Sequence, residues 1–400
     1  MTNGSNTPES NQEQKDRMDW PNLLLFACLA LSLALAAMLI YSFNLPPAEG
    51  QTAPPAADYL AFWGAGHMAL NHQAPQAYDT AILTLVQNQG LGREEIQYLP
   101  WLNPPPFFLF VTPFALAPFL ASHYIWAYFC LAFYSFAVYQ LIPNKTAVFA
   151  ALAYPAIFFC VVIGQTGIVT AALLGLFTIW HGPRPILAGI AIGCMIIKPQ
   201  LALLTPFVLI ASGNWRTFFS AAATVVVLCV ITTILFGFDV WTAFGESMKE
   251  YSHRASTLEH YLTRIQSIYG LVILLSKSAI CATIIQSIVS FIVFVTTIII
   301  WRKPFSYELK GAAFIVGSLM ITPYIQIYDY PIMAFAGLFL WKAGQKTGFL
   351  PWEKTIIISF ACSFLACFFL QAPIWGGFML LPFGLILQRA WHEKARFQKE

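Results

Sequence analysis

From residue 22 to its C-terminus the chain carries a succession of apolar runs, separated by polar or proline-containing stretches. A helical run of about 20 residues matches the roughly 30 Å hydrocarbon core of a bilayer. Folding as a water-soluble globule is excluded by the same residues, since 58% are hydrophobic and only 10% are charged. That leaves too little polar surface to coat a chain of this size. The short alternating segments of a transmembrane β-barrel are absent. The expected fold class is therefore all-α, a polytopic membrane protein of about 11 or 12 transmembrane helices.

Charge placement organises these runs. Residues 1–20 are rich in Asn, Ser, Gln and Glu without apolar periodicity and read as a disordered cytoplasmic tail. The run at 22–43 is too long for a signal-peptide core and reads as a retained first span, with Lys15 and Arg17 on its cytoplasmic side. Residues 44–104 hold one basic residue, Arg93, against Glu49, Asp58, Asp79, Glu94 and Glu95, which makes them a large outer loop. Two helical patterns inside it, 59–72 and 78–90, are too short to cross and are expected at the interface.

Further runs follow, a long one at 268–300 among them, with a second outer loop at 237–266. Lys and Arg gather after residue 300, at 342–354 and at 389–399, which marks those ends as cytoplasmic. The transmembrane domain is thus bounded at 21–391, with 392–400 as a short tail. The proline-interrupted segments around 104–118 and Lys198 are short. Non-helical backbone survives at membrane depth only where it lines a protein cavity, so these breaks point to a site.

Several functions are excluded early. The net charge of +3 is dispersed, so no nucleic-acid surface is expected. All eight cysteines fall in apolar runs without metal-ligand spacing and read as small buried hydrophobes. His67 and His72 stand five apart, off a shared helix face, and no metal or other cofactor is expected.

Ionisable groups at membrane depth are expensive, which makes the few present here candidates. Asp58 either caps the helix that follows or serves as a general base, two roles that do not exclude each other. Lys198, followed by Pro199, either snorkels to an interface or stands at a helix break as an anion-binding cation. Arg264 is a solvated loop residue or a second such cation. Asp329, between Tyr328 and Tyr330, caps a helix or orients a sugar hydroxyl. Asn103 and Gln165 are turn residues or site residues where two apolar runs meet. Trp63, Trp101, Tyr59 and Tyr98 form an aromatic belt or stack on sugar rings.

The order of these segments resembles the family 87 glycosyltransferases of the GT-C superfamily. The resemblance rests on "DYLAFWGAGHMALNHQAPQAYD", "YLPWLNPPPFFLFVTPFALAPF", "GQTGIVTAALLGLFTIW", "LAGIAIGCMIIKPQLALLTPF", "RIQSIYG" and "TPYIQIYDYPIM". It implies a membrane enzyme that takes hexose, mannose first, from a polyprenyl-phosphate donor and passes it with inversion to a lipid or envelope-glycan acceptor. Asp58 would be the base, and Lys198 and Arg264 would hold the donor phosphate. Asn103, Gln165, Gln266, Ser267, Tyr324 and Asp329 would support the substrates. Relatives often follow the late motif with histidines, and this chain has none there, which implies a different acceptor. The implied location is a bacterial inner membrane, among membrane lipids, with the site facing outward. The alternative is a flippase or transporter of a polyprenyl-linked intermediate.

Overall fold

The structure, a computed structural model, describes residues 57–91, 99–257, 265–370 and 372–397. The tail at 1–20 and the span at 22–43 lie outside the described residues. All regular structure among the described residues is helical.

Helices α1 (Ala57–Leu70) and α2 (Thr80–Leu91) fall where the first outer loop predicts them, joined by a 3₁₀ turn at Ala74–Tyr78. α1 does not lay one apolar face on lipid. Tyr59, Leu60, Phe62, Trp63, Ala65 and Met68 are all buried, because short turns after the proline cluster and helix α3 (Phe119–Leu141) close around it. Residues 104–118 contain five prolines, at 104, 105, 106, 113 and 118. Each removes a backbone donor, and the stretch breaks into turns at Pro105–Phe107, Phe108–Val111 and Phe114–Leu116 rather than crossing.

α4 (Lys145–Leu152) and α5 (Pro155–Ile163) are one apolar run bent by 62°. Pro155 holds Tyr154 extended, at φ −63° and ψ 122°, so the helix restarts in a new direction. α6 (Gly167–Trp180) is the central post, buried at every position from Gly167 to Ile179. α7 (Pro185–Gly193) runs into a 3₁₀ turn at Cys194–Ile197, and after Lys198 the chain resumes with a turn at Pro199–Ala202 and α8 (Thr205–Ala211).

α9 (Trp215–Phe236) lies mainly against α7, touches α8 and the Pro105–Phe107 turn, and leaves most of its surface open to the surroundings. A Cβ on Gly189 would stand 2.4 Å from Ser220 Cβ, and one on Gly193 2.6 Å from Thr224 Cβ. Small residues four apart let membrane helices approach this closely. Replacing Gly193 by Leu is expected to lower stability by about 1–3 kcal/mol through overpacking. Thermal unfolding in detergent checks this, and an unchanged midpoint would show that the crossing tolerates bulk.

α10 (Asp239–Thr257) packs on the Ala74–Tyr78 turn, with the Tyr78 and Phe244 rings 5.7 Å apart. The run at 268–300 is not one helix. Lys277 adopts a left-handed conformation (φ 56°), and Ser278 accepts from the Cys281 N–H, so α11 (Ile268–Ser276) ends and α12 (Ala279–Arg302) begins afresh. α13 (Tyr307–Met320) and α14 (Ile332–Thr347) pack on α6, whose Gly175 admits the Phe335 ring. α15 (Glu353–Leu370) and α16 (Leu380–Phe397) complete the bundle, and α16 continues into the stretch read as a C-terminal tail.

Among the described residues three helices, α3, α9 and α12, are long and apolar enough to cross a bilayer alone, and the bent α4–α5 pair makes a fourth if it is one span. The remainder are shorter or interrupted, and the breaks at Gly164, Lys198, Gln266 and Asp329 gather around the segment 325–329.

Candidate active site

The site is built from chain breaks. α5 ends at Gly164, whose φ of +73° is open to glycine, and a Cβ there would lie 2.3 Å from Tyr59 Cβ. The chain therefore passes directly against α1. Trp126 Nε1 donates to Gly164 O at 2.9 Å, and the Tyr59 hydroxyl lies 2.6 Å from Ser122 Oγ, so α3 clamps the junction from the other side. The result brings together two sequence candidates 107 residues apart: Gln165 Nε2 donates to Asp58 Oδ2 at 3.0 Å. Asp58 sits within the first turn of α1, where the helix dipole favours a carboxylate.

A second pair forms across the adjoining breaks. Lys198, at φ −144° and ψ 71°, separates two 3₁₀ turns, and Asp329 lies on the turn Ile327–Asp329 before α14. Lys198 Nζ donates to Asp329 Oδ1 at 2.6 Å, with Lys198 8% and Asp329 2% exposed. The ammonium also lies 4.3 Å from the Tyr328 ring centroid, a cation–π contact that strengthens where water is excluded. Lys198 thus turns inward rather than snorkelling. Asp329 Oδ2 accepts from the Gln326 N–H at 3.1 Å, so Asp329 is a turn cap as well as an ion-pair partner.

The two pairs meet at the end of α5, which packs on both α1 and the Ile327–Asp329 turn. Cys160 donates its thiol to Tyr328 O at 3.2 Å and stands in the combined field of Asp329, Lys198 and Asp58. At the head of α6, a Cβ on Gly167 would fall 1.7 Å from Tyr328 O, which fixes that strand of backbone against the helix start. Cys160 and Tyr328 are neighbours that sequence reasoning did not assign to the site. Cys160 read as a buried hydrophobe, which its burial supports, and nothing in its spacing announces the bond to Tyr328. Thr166 was missed too; it is 1% exposed, and its hydroxyl has no protein partner among the described residues.

The other candidates divide by distance from these pairs. Gln266 and Ser267 anchor the loop that carries Asp329. The Gln266 N–H donates to Ile325 O at 2.7 Å, its Oε1 accepts from the Tyr330 hydroxyl at 3.2 Å, and Ser267 Oγ donates to Pro323 O at 2.7 Å. Tyr324 is exposed at 49%, with its N–H donating to Thr322 Oγ1. Asn103 enters through its backbone, where its carbonyl accepts from the Tyr78 hydroxyl at 2.8 Å. Arg264 lies outside the described residues.

An apolar cavity of about 280 Å³ lies between α3, α6 and the turn after α7, lined by Phe107, Trp126, Phe133, Leu173, Cys194 and Ile197. Ile197 directly precedes Lys198, and Trp126 is the residue that holds Gly164. A larger apolar cavity, about 430 Å³, follows α14 from Met333 to Gln345.

An all-helical membrane protein, with a carboxylate and a buried lysine gathered at helix breaks beside an apolar cavity, is the class that fold and site define. The family model described as glycosyltransferase family 87 matches residues 101–323, more than half of the chain. The chain belongs to that family and is a glycosyltransferase. The match covers Asn103, Gln165, Lys198, Arg264, Gln266 and Ser267, while Asp58, Tyr324 and Asp329 fall outside it. No curated protein and no solved structure matches the chain.

Proposed function

We propose that the enzyme transfers a hexose, mannose first among candidates, from a polyprenyl-phosphate donor to a lipid or envelope-glycan acceptor at the outer face of a bacterial inner membrane. The observation that carries this reading is the meeting of the Asp58–Gln165 pair and Lys198 at the end of α5, beside an apolar cavity. A lipid-linked donor needs both a cation for its phosphate and an apolar channel for its chain.

In the reaction the acceptor hydroxyl oxygen attacks the anomeric carbon. The bond from that carbon to the phosphate oxygen breaks, and its electron pair leaves with polyprenyl phosphate. The hydroxyl proton passes to Asp58, oriented by Gln165. Charge grows on the departing phosphate, and a fixed ammonium at Lys198 stabilises it where water is scarce. Arg264 is proposed as a second cation for the same phosphate. A single displacement of this kind inverts the anomeric centre, and it needs one base rather than the two flanking carboxylates of a glycosidase.

The test is transfer of radiolabelled sugar from polyprenyl-phosphate-mannose and polyprenyl-phosphate-glucose to envelope lipids and glycans, in membranes containing the enzyme. Labelled product from one donor, lowered about 10²–10³-fold in kcat/KM by Lys198→Met, is expected when a positioned charge is lost. Transfer that survives Lys198→Met unchanged would remove the lysine from the donor site. Absence of labelling from both donors would overturn the assignment of donor class.

A further inference from the structure

Lys198 is the one buried lysine among the described residues, and in this structure its charge is already taken by Asp329 at 2.6 Å. The reading above, on which this inference rests, asks the same ammonium to hold a phosphate. Both demands fall on one ammonium, so a phosphodiester brought to Lys198 would face the Asp329 carboxylate at contact distance. Like charges so placed in a site of low dielectric repel strongly.

We infer that Asp329 stands in for the donor phosphate and yields Lys198 to it, which makes Asp329 a specificity-determining residue that admits only anionic lipid-linked donors. A neutral isoprenoid gives Lys198 nothing in exchange for the carboxylate. A phosphate replaces one anion by another and leaves the lysine paired, while the displaced Asp329 carboxylate, 2% exposed in this structure, has to turn out of the pair and carry its charge to water for the exchange to proceed.

The backbone on both sides of the pair is held, which confines the exchange to the Asp329 side chain. Lys198 keeps the Tyr328 ring at 4.3 Å after the carboxylate leaves. Tyr328 is itself held, its carbonyl bound by the Cys160 thiol and pressed against Gly167. The Asp329 backbone is held as well, in a 3₁₀ turn that packs on α5, α6 and α15, and its carboxylate is bound by the Lys198 ammonium and the Gln326 N–H. It follows a non-helical stretch, residues 322–326, fixed mainly by Gln266 and Ser267. Displacing Asp329 therefore releases the Gln326 amide and leaves the lysine in place.

Farnesyl phosphate and farnesol, added to the purified full-length protein in detergent, test this without turnover. Asp329→Asn keeps an acceptor for Gln326 and removes the competing charge. It is expected to bind farnesyl phosphate roughly tenfold more tightly than wild type, the gain when a closed state holding about nine molecules in ten is abolished. Asp329→Glu, which keeps the charge, should bind no more tightly than wild type, and farnesol should not distinguish the three proteins. In the wild type, hydrogen exchange at the Gln326 amide should quicken when farnesyl phosphate is bound, a readout that needs no folded variant.

Weaker or unchanged binding of farnesyl phosphate by Asp329→Asn, with wild type binding normally, would overturn the exchange and leave the proposed donor class intact. So would slowed exchange at Gln326. Failure of the wild type and Asp329→Asn alike to bind farnesyl phosphate would overturn both this inference and the donor assignment beneath it.

Discussion

Replacing Asp58 by Asn is expected to lower sugar transfer by about 10²–10⁴-fold, the range for loss of a positioned general base. The amide preserves the shape of the group and a carbonyl oxygen that accepts from Gln165 Nε2, now 3.0 Å from Asp58 Oδ2. Only the ability to take the acceptor proton is lost. The loss should therefore fall on kcat, while the donor KM, which the proposed function assigns to Lys198 and not to Asp58, is expected to stay near its wild-type value. Gln165→Leu should give a smaller version of the same split, because it removes a group that orients the base and not the base itself. Single-turnover transfer at matched expression measures both. An Asp58→Asn enzyme as fast as wild type would take this carboxylate out of the chemistry and leave Asp329 as the remaining carboxylate beside Lys198.

The second large effect lies at the far end of the bundle and concerns stability alone. Arg389 and Glu353 form an ion pair buried between α15 and α16, at 3% and 0% exposure. Arg389 also donates to Thr347 Oγ1 at 3.0 Å and to Gly348 O at 3.2 Å, while Glu353 Oε2 accepts from the Leu350 N–H at 2.9 Å. The pair thus ties both helices to the turn after α14. Removing one partner strands the other charge where water cannot reach it. Arg389→Met is expected to destabilise by about 3–5 kcal/mol, and the double variant Glu353→Leu/Arg389→Met by much less, since no unpaired charge remains. Thermal unfolding of the two proteins in one detergent decides between them. A single variant within about 0.5 kcal/mol of wild type would show that the pair is solvated rather than buried.

The same physics separates what could be read in the sequence from what could not. Helix content followed from the apolar runs, because a bilayer leaves backbone groups no partner outside their own helix. The proline stretch at 104–118 and the Lys198–Pro199 break were legible as interruptions, since proline acts on its own residue and the one before. The split of 268–300 was hidden, because Lys277 in a left-handed conformation carries no strong local signal. The burial of α1 was hidden also, since an apolar helix at an interface and one inside a protein differ only in what surrounds them.

The candidate site shows the division most clearly. Asp58, Gln165, Lys198 and Asp329 stood out because polar groups are rare and expensive in so apolar a chain. Their partners did not: Asp58 meets Gln165 across 107 residues, and Lys198 meets Asp329 across 131. Sequence by itself determined the membrane class, the helical content and the short roster of groups capable of chemistry, because hydrophobicity and proline act locally. Only the tertiary structure decided that Lys198 turns inward, that Asp329 rather than solvent neutralises it, and that Gly164 lets the chain run close enough to α1 to bring Gln165 to Asp58. Pairing depends on which helix breaks share an end of the bundle, and packing over long separations sets that.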